Sequence, residues 1–327
     1  MPKKRILSGM RPTGKLHLGN YVGALENWVK IQNDYENFYL VADYHMLTTD
    51  LNTDPIAQNT RDMVIDWLAA GLDPVKSPFF RQSKIKEHTE LFLLLSMLIT
   101  TARLERNPTL KEQVRDLNVE SLVFGHLGYT VLQAADIMLY KGEVVPVGED
   151  QVPHVEITRE LARRFNLQFG QTFPEPEALL TSFSRLPGLD GVAKMSKSLS
   201  NAIYLSDTPD VVTAKMKKAV TDPLKVRKGD PGRPDICVVY MYHQKFNTPE
   251  ATAEVEAGCR SGALGCVDCK MRAAHRINEM LTPILEKRRH YEENPSEVED
   301  ILLNGEKRAK AVAESTMQEV HEKMKLG

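Results

Sequence analysis

Two short runs of this sequence hold side chains suited to handling a polyphosphate. The first is "PTGKLHLGN" at residues 12–20, where His17 and Asn20 stand three apart and share one face of a helix that begins here. A helix N-terminus offers unpaired N–H groups and the positive end of its dipole. His17 and Asn20 can each donate a hydrogen bond to phosphate, and Gly19, lacking a side chain, lets a flat base approach the backbone. By itself the run can equally be a helix cap with a packed histidine. The second run, "KMSKS" at residues 194–198, puts two lysines and two serines on a Gly- and Ser-rich loop. Such a loop can fold over phosphates and neutralise charge on a leaving pyrophosphate, or simply be solvated. The order and separation of the two runs argue against coincidence.

A third group is metallic in character. All four cysteines, Cys237, Cys259, Cys266 and Cys269, fall in one stretch, with gaps of 21, 6 and 2 residues. Clustered cysteines in a reducing interior point to metal rather than disulfides. Four thiolates suit Zn²⁺ or a [4Fe–4S] cluster. A Cys₄ zinc site typically uses two Cys-x₂-Cys pairs, and this chain has one, which leans toward the cluster.

Strands and helices must hold these groups in place. Residues 4–9 read as a short buried strand. A helix follows, with Leu18, Tyr21, Val22, Leu25, Trp28 and Val29 at three- and four-residue steps. Residues 37–43 form a second strand. Residues 54–74 form a helix with Pro55 in its first turn and Gly71 near its end. Residues 77–83 are a third strand candidate, 86–106 a long helix, 143–150 a short strand and 151–166 another helix. This alternation predicts an α/β fold, a doubly wound parallel sheet. No G-x-G-x-x-G follows the first strand, so a dinucleotide fold of the usual kind is not indicated. Residues 186–201 read as a mobile loop. Beyond it the chain is mainly helical, apart from the Pro/Gly-rich residues 221–235, and ends in a helix over 304–326. The pattern divides the chain into a larger domain, 1–187, and a smaller helical domain, 188–303, with 304–327 packing back near the first.

The 327 residues suffice for about two domains and a proper core without disulfide staples. A net charge of −2 does not suggest a global nucleic-acid binder, though a local basic patch suffices for phosphate contacts. No apolar run reaches the roughly 20 residues of a membrane helix. The basic N-terminus is not followed by a signal-type apolar segment, so a cytoplasmic enzyme is expected.

"HLGN" resembles the His-Ile-Gly-His signature of class I aminoacyl-tRNA synthetases, and "KMSKS" is that class's second signature unchanged. Residues 11–28, 129–166 ("YTVLQAADIMLYKGEVVPVGEDQVPHVEITRELARRFN") and 219–223 ("AVTDP") are similar to the tryptophanyl-tRNA synthetases. The resemblance runs over essentially the whole chain. It implies a Rossmann-like catalytic domain and a helical anticodon-binding domain. It also implies a two-step reaction: tryptophan and ATP, with Mg²⁺, give tryptophanyl-adenylate and pyrophosphate, and the acyl group then passes to tRNA(Trp). The implied assembly is a homodimer. The apolar residues 90–107 suit its interface but can equally be core.

The resemblance also implies residue roles. His17, Asn20, Lys194 and Lys197 stabilise the transferring phosphate charge. The ATP site comprises Met10, Arg11, Thr13, Gly19, Asn20, Gly148, Asp150, Lys194, Met195, Ser196 and Lys197. No residue acts as nucleophile, because the substrate carboxylate attacks the α-phosphate, so catalysis is positioning plus charge stabilisation. The tryptophan site comprises Leu7, His45, Tyr129, Gln133, Asp136, Val145, Val147 and Gln151. Asp136 accepts the indole N–H, a bond phenylalanine cannot make. Tyr129 and Gln151 take the amino group, His45 helps orient the carboxylate, and Val145 and Val147 are pocket walls. Two positions depart from the family pattern: Asn20 replaces the signature's second His, and Gln133 stands where Met is common. The four-cysteine spacing is similar to that of a bacterial subset that binds [4Fe–4S] in the helical domain, differing by one residue in the first gap. Basic residues 215–220, 225–233 and 287–289 suit tRNA phosphates or are solvated faces.

The nearest alternative is a tyrosyl-tRNA synthetase, whose bacterial form usually has an altered second signature and an extra C-terminal RNA-binding domain. A small-molecule nucleotidylyltransferase shares the first loop but lacks the helical domain. A non-catalytic RNA-binding or metal-sensing protein on the same fold is disfavoured by intact His17, Lys194 and Lys197.

Overall fold

The computed structural model describes residues 2–110, 123–180, 186–192, 194–196 and 199–326. Five parallel strands, β1 (Arg5–Met10), β2 (Glu36–Val41), β3 (Phe79–Arg81), β4 (Val144–Val147) and β5 (Glu177–Leu180), form one sheet in the order β3-β2-β1-β4-β5. β2 shows why both faces are covered. Its "FYLV" is a continuous apolar and aromatic run, the signature of a strand buried on both sides. Phe38 and Leu40 enter one core, Tyr39 and Val41 the other. The chain winds outward in both directions from β1, so the crevice above the β1/β4 boundary is the topological switch point where such folds bind ligands. The α/β doubly wound expectation is met. β5 escapes the sequence pattern because it is an edge strand with no buried residue and no alternation.

After β1 come α1 (Leu18–Asn20), a π-helical turn (Tyr21–Leu25) and α2 (Glu26–Ile31), continuous with one another. α3 (Asp43–Leu47) and α4 (Ile56–Ala70) follow β2, and Gly71 at φ 108° closes α4. The long helix expected over 86–106 is two: α5 (Glu87–Ser96) and α6 (Thr101–Glu105). Thr100 interrupts it in extended conformation, its hydroxyl accepting from the Arg103 N–H to start the second helix. α7 (Phe124–Leu139) precedes β4, and α8 (Val152–Phe169) precedes β5. The remaining helices are α9 (Pro209–Lys218), α10 (Val238–Phe246), α11 (Pro249–Arg260), α12 (Cys266–Glu293) and α13 (Pro295–Met324). The last helix thus starts before residue 304. Gly305 lies within it because a Cβ there would stand 1.9 Å from the Phe79 carbonyl oxygen, so the helix backbone rests directly on β3.

Two cores flank the sheet. On one face Val131 of α7, Phe165 of α8, and Ala309, Ala313 and Met317 of α13 pack with Leu7 and Phe80. On the other, Trp28, Tyr39, Trp67 and Phe79 form an aromatic group with ring centroids 4.8–6.5 Å apart. That core continues into the later helices through Val239, Tyr242, Ile277 and Leu281. Among the described residues no helix is long and apolar enough to cross a membrane.

Candidate active site

The first signature folds as a reciprocal cap. The Asn20 backbone N–H donates to His17 Nδ1 at 3.2 Å, and the His17 N–H donates to Asn20 Oδ1 at 3.1 Å. Cap and phosphate site are compatible, because the cap orients the donors. With Nδ1 accepting, a neutral His17 carries its proton on Nε2, and with Oδ1 accepting, the outer end of Asn20 is its NH₂. Gly19 is required: a Cβ there would lie 2.9 Å from His17 Nδ1 and 3.4 Å from Met195 Cβ.

The second signature lies against the first. The Gly19 N–H donates to Met195 Sδ at 3.3 Å, and Met195 is buried. The segment after KMSKS pairs with the first loop: Leu18 N–H donates to Ile203 O at 2.8 Å and Leu205 N–H to Leu16 O at 2.9 Å. The residues expected to be a mobile loop are anchored where described. Buried Asn201 donates from Nδ2 to Asp190 Oδ2 (2.8 Å) and Lys194 O (3.1 Å) and accepts the Ser196 N–H at Oδ1 (2.8 Å). Asn201 carries no motif letter of its own, though its place three residues past the motif was a signal. Lys197 and Ser198 lie outside the described residues.

A cavity of about 350 Å³ opens beside these loops at the C-terminal ends of β1, β2 and β4. Leu7, His45, Tyr129 and Gln133 line it, as do Asp136, Val145, Val147 and Gln151, so all eight expected amino-acid-site residues face one space. Arg11 and Gly148 of the expected nucleotide set line it too. Met10 ends β1 with its carbonyl accepting the Ala42 N–H, exposed Thr13 follows in the loop, and Asp150 stands in the single turn Glu149–Gln151. The π-helical turn brings Gly23 and Ala24 to the cavity wall, a contribution no sequence period reveals. A separate cavity of about 420 Å³ lies between α3, α4 and α13, with no residue of either signature in its lining.

Asp136, on α7, is the most constrained polar group here. It is buried, and both carboxylate oxygens are engaged: Oδ1 by Gln82 Nε2 (2.7 Å) and His88 Nδ1 (2.7 Å), Oδ2 by His45 Nε2 (2.8 Å). Burial pulls its pKa up, but the His45 hydrogen bond and the field and bond of His88 outweigh burial and hold it below the ordinary carboxylate value. His88 Nε2 lies 2.9 Å from the Tyr140 hydroxyl, extending the network into the core. His45 thus holds Asp136 through Nε2 while also lining the cavity. Gln82 and His88 were not legible in the sequence. They come from the turn after β3 and from α5, and a tie from Ser83 to Asp43 sets that turn.

Tyr129, two turns before Asp136 on α7, meets a second buried histidine: its hydroxyl is 2.6 Å from His154 Nε2. Burial pushes the His154 pKa down to about 4.

The four cysteines converge. The Cys269 thiol is pushed up to about 12, first by burial and then by the fields of Cys237, Cys259 and Cys266. Even so, among the described residues no group of three or more His, Cys, Asp or Glu side chains stands in a metal-holding arrangement. The expected metal site is not met at that level.

A family model described as "tRNA synthetases class I (W and Y)" matches residues 2–282. A tryptophan–tRNA ligase of Thermotoga maritima is 50% identical over 326 residues, covering 98% of this chain and 99% of that one. One from Aquifex aeolicus is 44% identical over 394 aligned residues, covering 98% and 100%. The crystal structure of tryptophanyl-tRNA synthetase from Campylobacter jejuni complexed with ADP and tryptophan is similar at a TM-score of 0.87 and 33% identity, covering 98% of this chain and 100% of that one. A tyrosyl-tRNA synthetase structure from Archaeoglobus fulgidus shares the fold, with a TM-score of 0.69 at 23% identity. This enzyme chain, matched along nearly its full length, belongs to the class I tRNA synthetases of the tryptophan and tyrosine family.

Proposed function

We infer that the protein activates L-tryptophan with ATP and transfers the acyl group to the 3′ end of tRNA(Trp), as its full-length relatives' names indicate, and that it works in the cytoplasm. The observation that carries the amino-acid choice is Asp136, an acceptor-only group in the cavity wall. It accepts the indole N–H, with Gln82, His45 and His88 keeping it ionised. Phenylalanine leaves that acceptor without a ligand donor. Gln133, Val145 and Val147 flank the ring, and Gln151 and Tyr129 take the ammonium.

In the first step a carboxylate oxygen of tryptophan attacks the α-phosphorus, and the bond to pyrophosphate breaks. The donors oriented by the His17–Asn20 cap, with Thr13, Lys194, Ser196 and Lys197, hold the phosphates and the leaving charge. Gly19 and Met195 receive the adenine, Gly148 and Asp150 the ribose, with Met10 and Arg11 at the mouth. Mg²⁺ accompanies ATP and neutralises phosphate charge. In the second step the terminal ribose hydroxyl of the tRNA attacks the acyl carbon and AMP leaves.

Residues 1–187 with 304–327 form the catalytic body in this reading, and 188–303 the anticodon-facing part. Exposed Leu93 on α5, Met97 just after it, and Val123 and Phe124 at the start of α7 supply an apolar patch for a second copy. Cys237, Cys259, Cys266 and Cys269 would hold a [4Fe–4S] cluster, favoured over Zn²⁺ by their spacing. The mutual fields of the four thiols suit that donor set. When bound, the cluster ties together the segment before α10, α11 and the start of α12.

ATP–pyrophosphate exchange with each amino acid tests the main reading: exchange with tryptophan alone is expected, and exchange with tyrosine instead, or with neither, overturns it. Anaerobic purification tests the cluster. Absorbance at roughly 400 nm that is lost in any Cys→Ser variant supports it, and zinc or no metal overturns it.

A further inference from the structure

The second cavity, of about 420 Å³ between α3, α4 and α13, has the size of a small-molecule site, about 300–1,000 Å³. Leu47 of α3, Ile56 of α4, and Val298 and Leu302 of α13 give it apolar walls, with Tyr44 beside them. Its polar groups are of two kinds. Some are already satisfied. Arg81 is held by Glu306 and, at 2.8 and 3.3 Å, by Glu299. Asp43 accepts the Ser83 and Tyr44 N–H groups at Oδ1 (2.9 and 3.1 Å) and the Ser83 hydroxyl at Oδ2 (2.5 Å). Thr60 and Arg61 are the other kind. Thr60 is only 4% exposed, lines the cavity, and has no hydrogen-bond partner among the described residues. Buried hydroxyls are ordinarily paired. Arg61 lines the same cavity and has no ion pair or hydrogen bond among the described residues. One cation and one hydroxyl are thus left for a ligand.

We propose that this cavity binds a small carboxylic acid with an apolar body, and that its occupant steadies the side chains that hold Asp136. The carboxylate takes paired N–H bonds from Arg61, whose planar fork fits it, and accepts a hydrogen bond from the Thr60 hydroxyl. The apolar body lies among Leu47, Ile56, Val298 and Leu302. An amine of the same length brings like charge to Arg61 and is refused. The link to the reaction runs through the wall shared with the clamp. Asp43 stands two residues before His45 on α3, and Ser83 directly follows Gln82. His45 bonds Asp136 Oδ2, and Gln82 bonds Oδ1. The Asp43–Ser83 bonds therefore tie together two arms of that clamp, and both residues line the second cavity. A molecule packed on α3 and this turn favours the clamped arrangement, and such coupling between sites is reciprocal.

Calorimetric titration of the full-length protein with octanoate, phenylpropionate and naphthoate tests the site, with octylamine as the control of opposite charge. At least one acid is expected to bind once per chain with a Kd below about 1 mM, and octylamine not to bind. Arg61→Glu is expected to weaken that acid at least about tenfold, and Leu302→Trp, which fills the cavity, to abolish its binding. Both variants should keep wild-type exchange when no acid is present. Saturating acid is expected to lower the KM for tryptophan about fivefold in the wild type, and the same concentration to leave it unmoved in Arg61→Glu.

Refusal of all three acids at about 5 mM overturns the proposal, which is the outcome if a second copy of this chain covers the cavity. Binding that Arg61→Glu leaves intact, or octylamine bound as tightly as the acids, also overturns it. So does an acid that raises the KM for tryptophan by competing in the first cavity, or one that leaves that KM unmoved. The effect on tryptophan rests on the reading that the first cavity holds the amino acid. Wild-type exchange that does not need tryptophan defeats that reading, while calorimetry with Arg61→Glu still decides the ligand site.

Discussion

Arg288 and Asp66 form an ion pair closed off from solvent, and the same carboxylate accepts the backbone N–H of Leu16, next to His17, at 2.7 Å. The pair joins α12, whose first residue is Cys266, to α4 and the first signature loop. Burial pushes the Asp66 carboxyl up to about 6, while the pair raises Arg288. With a guanidinium bonded to one oxygen and an amide N–H to the other, the ionised carboxylate is the form the bonding supports. Arg288→Met strands that charge, and a loss of about 3–5 kcal/mol in urea unfolding is expected. Adding Asp66→Asn to Arg288→Met should recover much of the loss. A double variant as unstable as the single one contradicts this.

Asp136 is the acceptor on which amino-acid choice depends. Asp136→Asn replaces one oxygen by an NH₂ among donors from Gln82, His88 and His45. A fall of about a hundredfold in kcat/KM for tryptophan is expected, from loss of a charged hydrogen bond worth about 1.5–3 kcal/mol. The KM for ATP should hardly move. Steady-state exchange kinetics with each substrate varied in turn decide it.

Asn201 clasps the second signature with two hydrogen bonds, at Lys194 and Ser196, and a third ties it to Asp190. Asn201→Ala leaves the Ser196 N–H and the Lys194 carbonyl without that partner and frees the loop that carries the phosphate-binding side chains. About a tenfold loss in kcat/KM for ATP is expected, with tryptophan binding intact by equilibrium dialysis.

His154 also links stability to pH. Its folded pKa of about 4 lies below the ordinary 6.5. Above about pH 6.5 the ring is neutral in both states and its stabilising contribution is fully present. Between there and about pH 4 the unfolded chain takes up a proton that the folded chain refuses, so that contribution is progressively lost as pH falls. Urea unfolding of His154→Gln should therefore show a shallower decline than wild type across this interval. Parallel curves contradict the assignment.

Elements with strong local patterns were legible: β1 and β2 as apolar runs, α4 between Pro55 and Gly71, and the two signatures as loops. β5 was not, because an exposed edge strand needs no alternation. The break between α5 and α6 was missed because an apolar run masked the cap at Thr100. The eight residues expected in the amino-acid site share one cavity, but the bond of His45 to Asp136, at 2.8 Å, was not legible in the sequence.

Fold class, family resemblance and the residue types able to meet phosphate and indole are all readable along the chain, because each depends on residue identity and short-range spacing. The pairing of the polar groups is not readable there. Gln82 and His88 reach Asp136 from 54 and 48 residues away, Asn107 reaches His154 across 47, and Arg288 reaches Asp66 across 222. A buried donor or acceptor must find a partner wherever the fold supplies one, and that choice is made when helices pack on the sheet, not in the local order of residues.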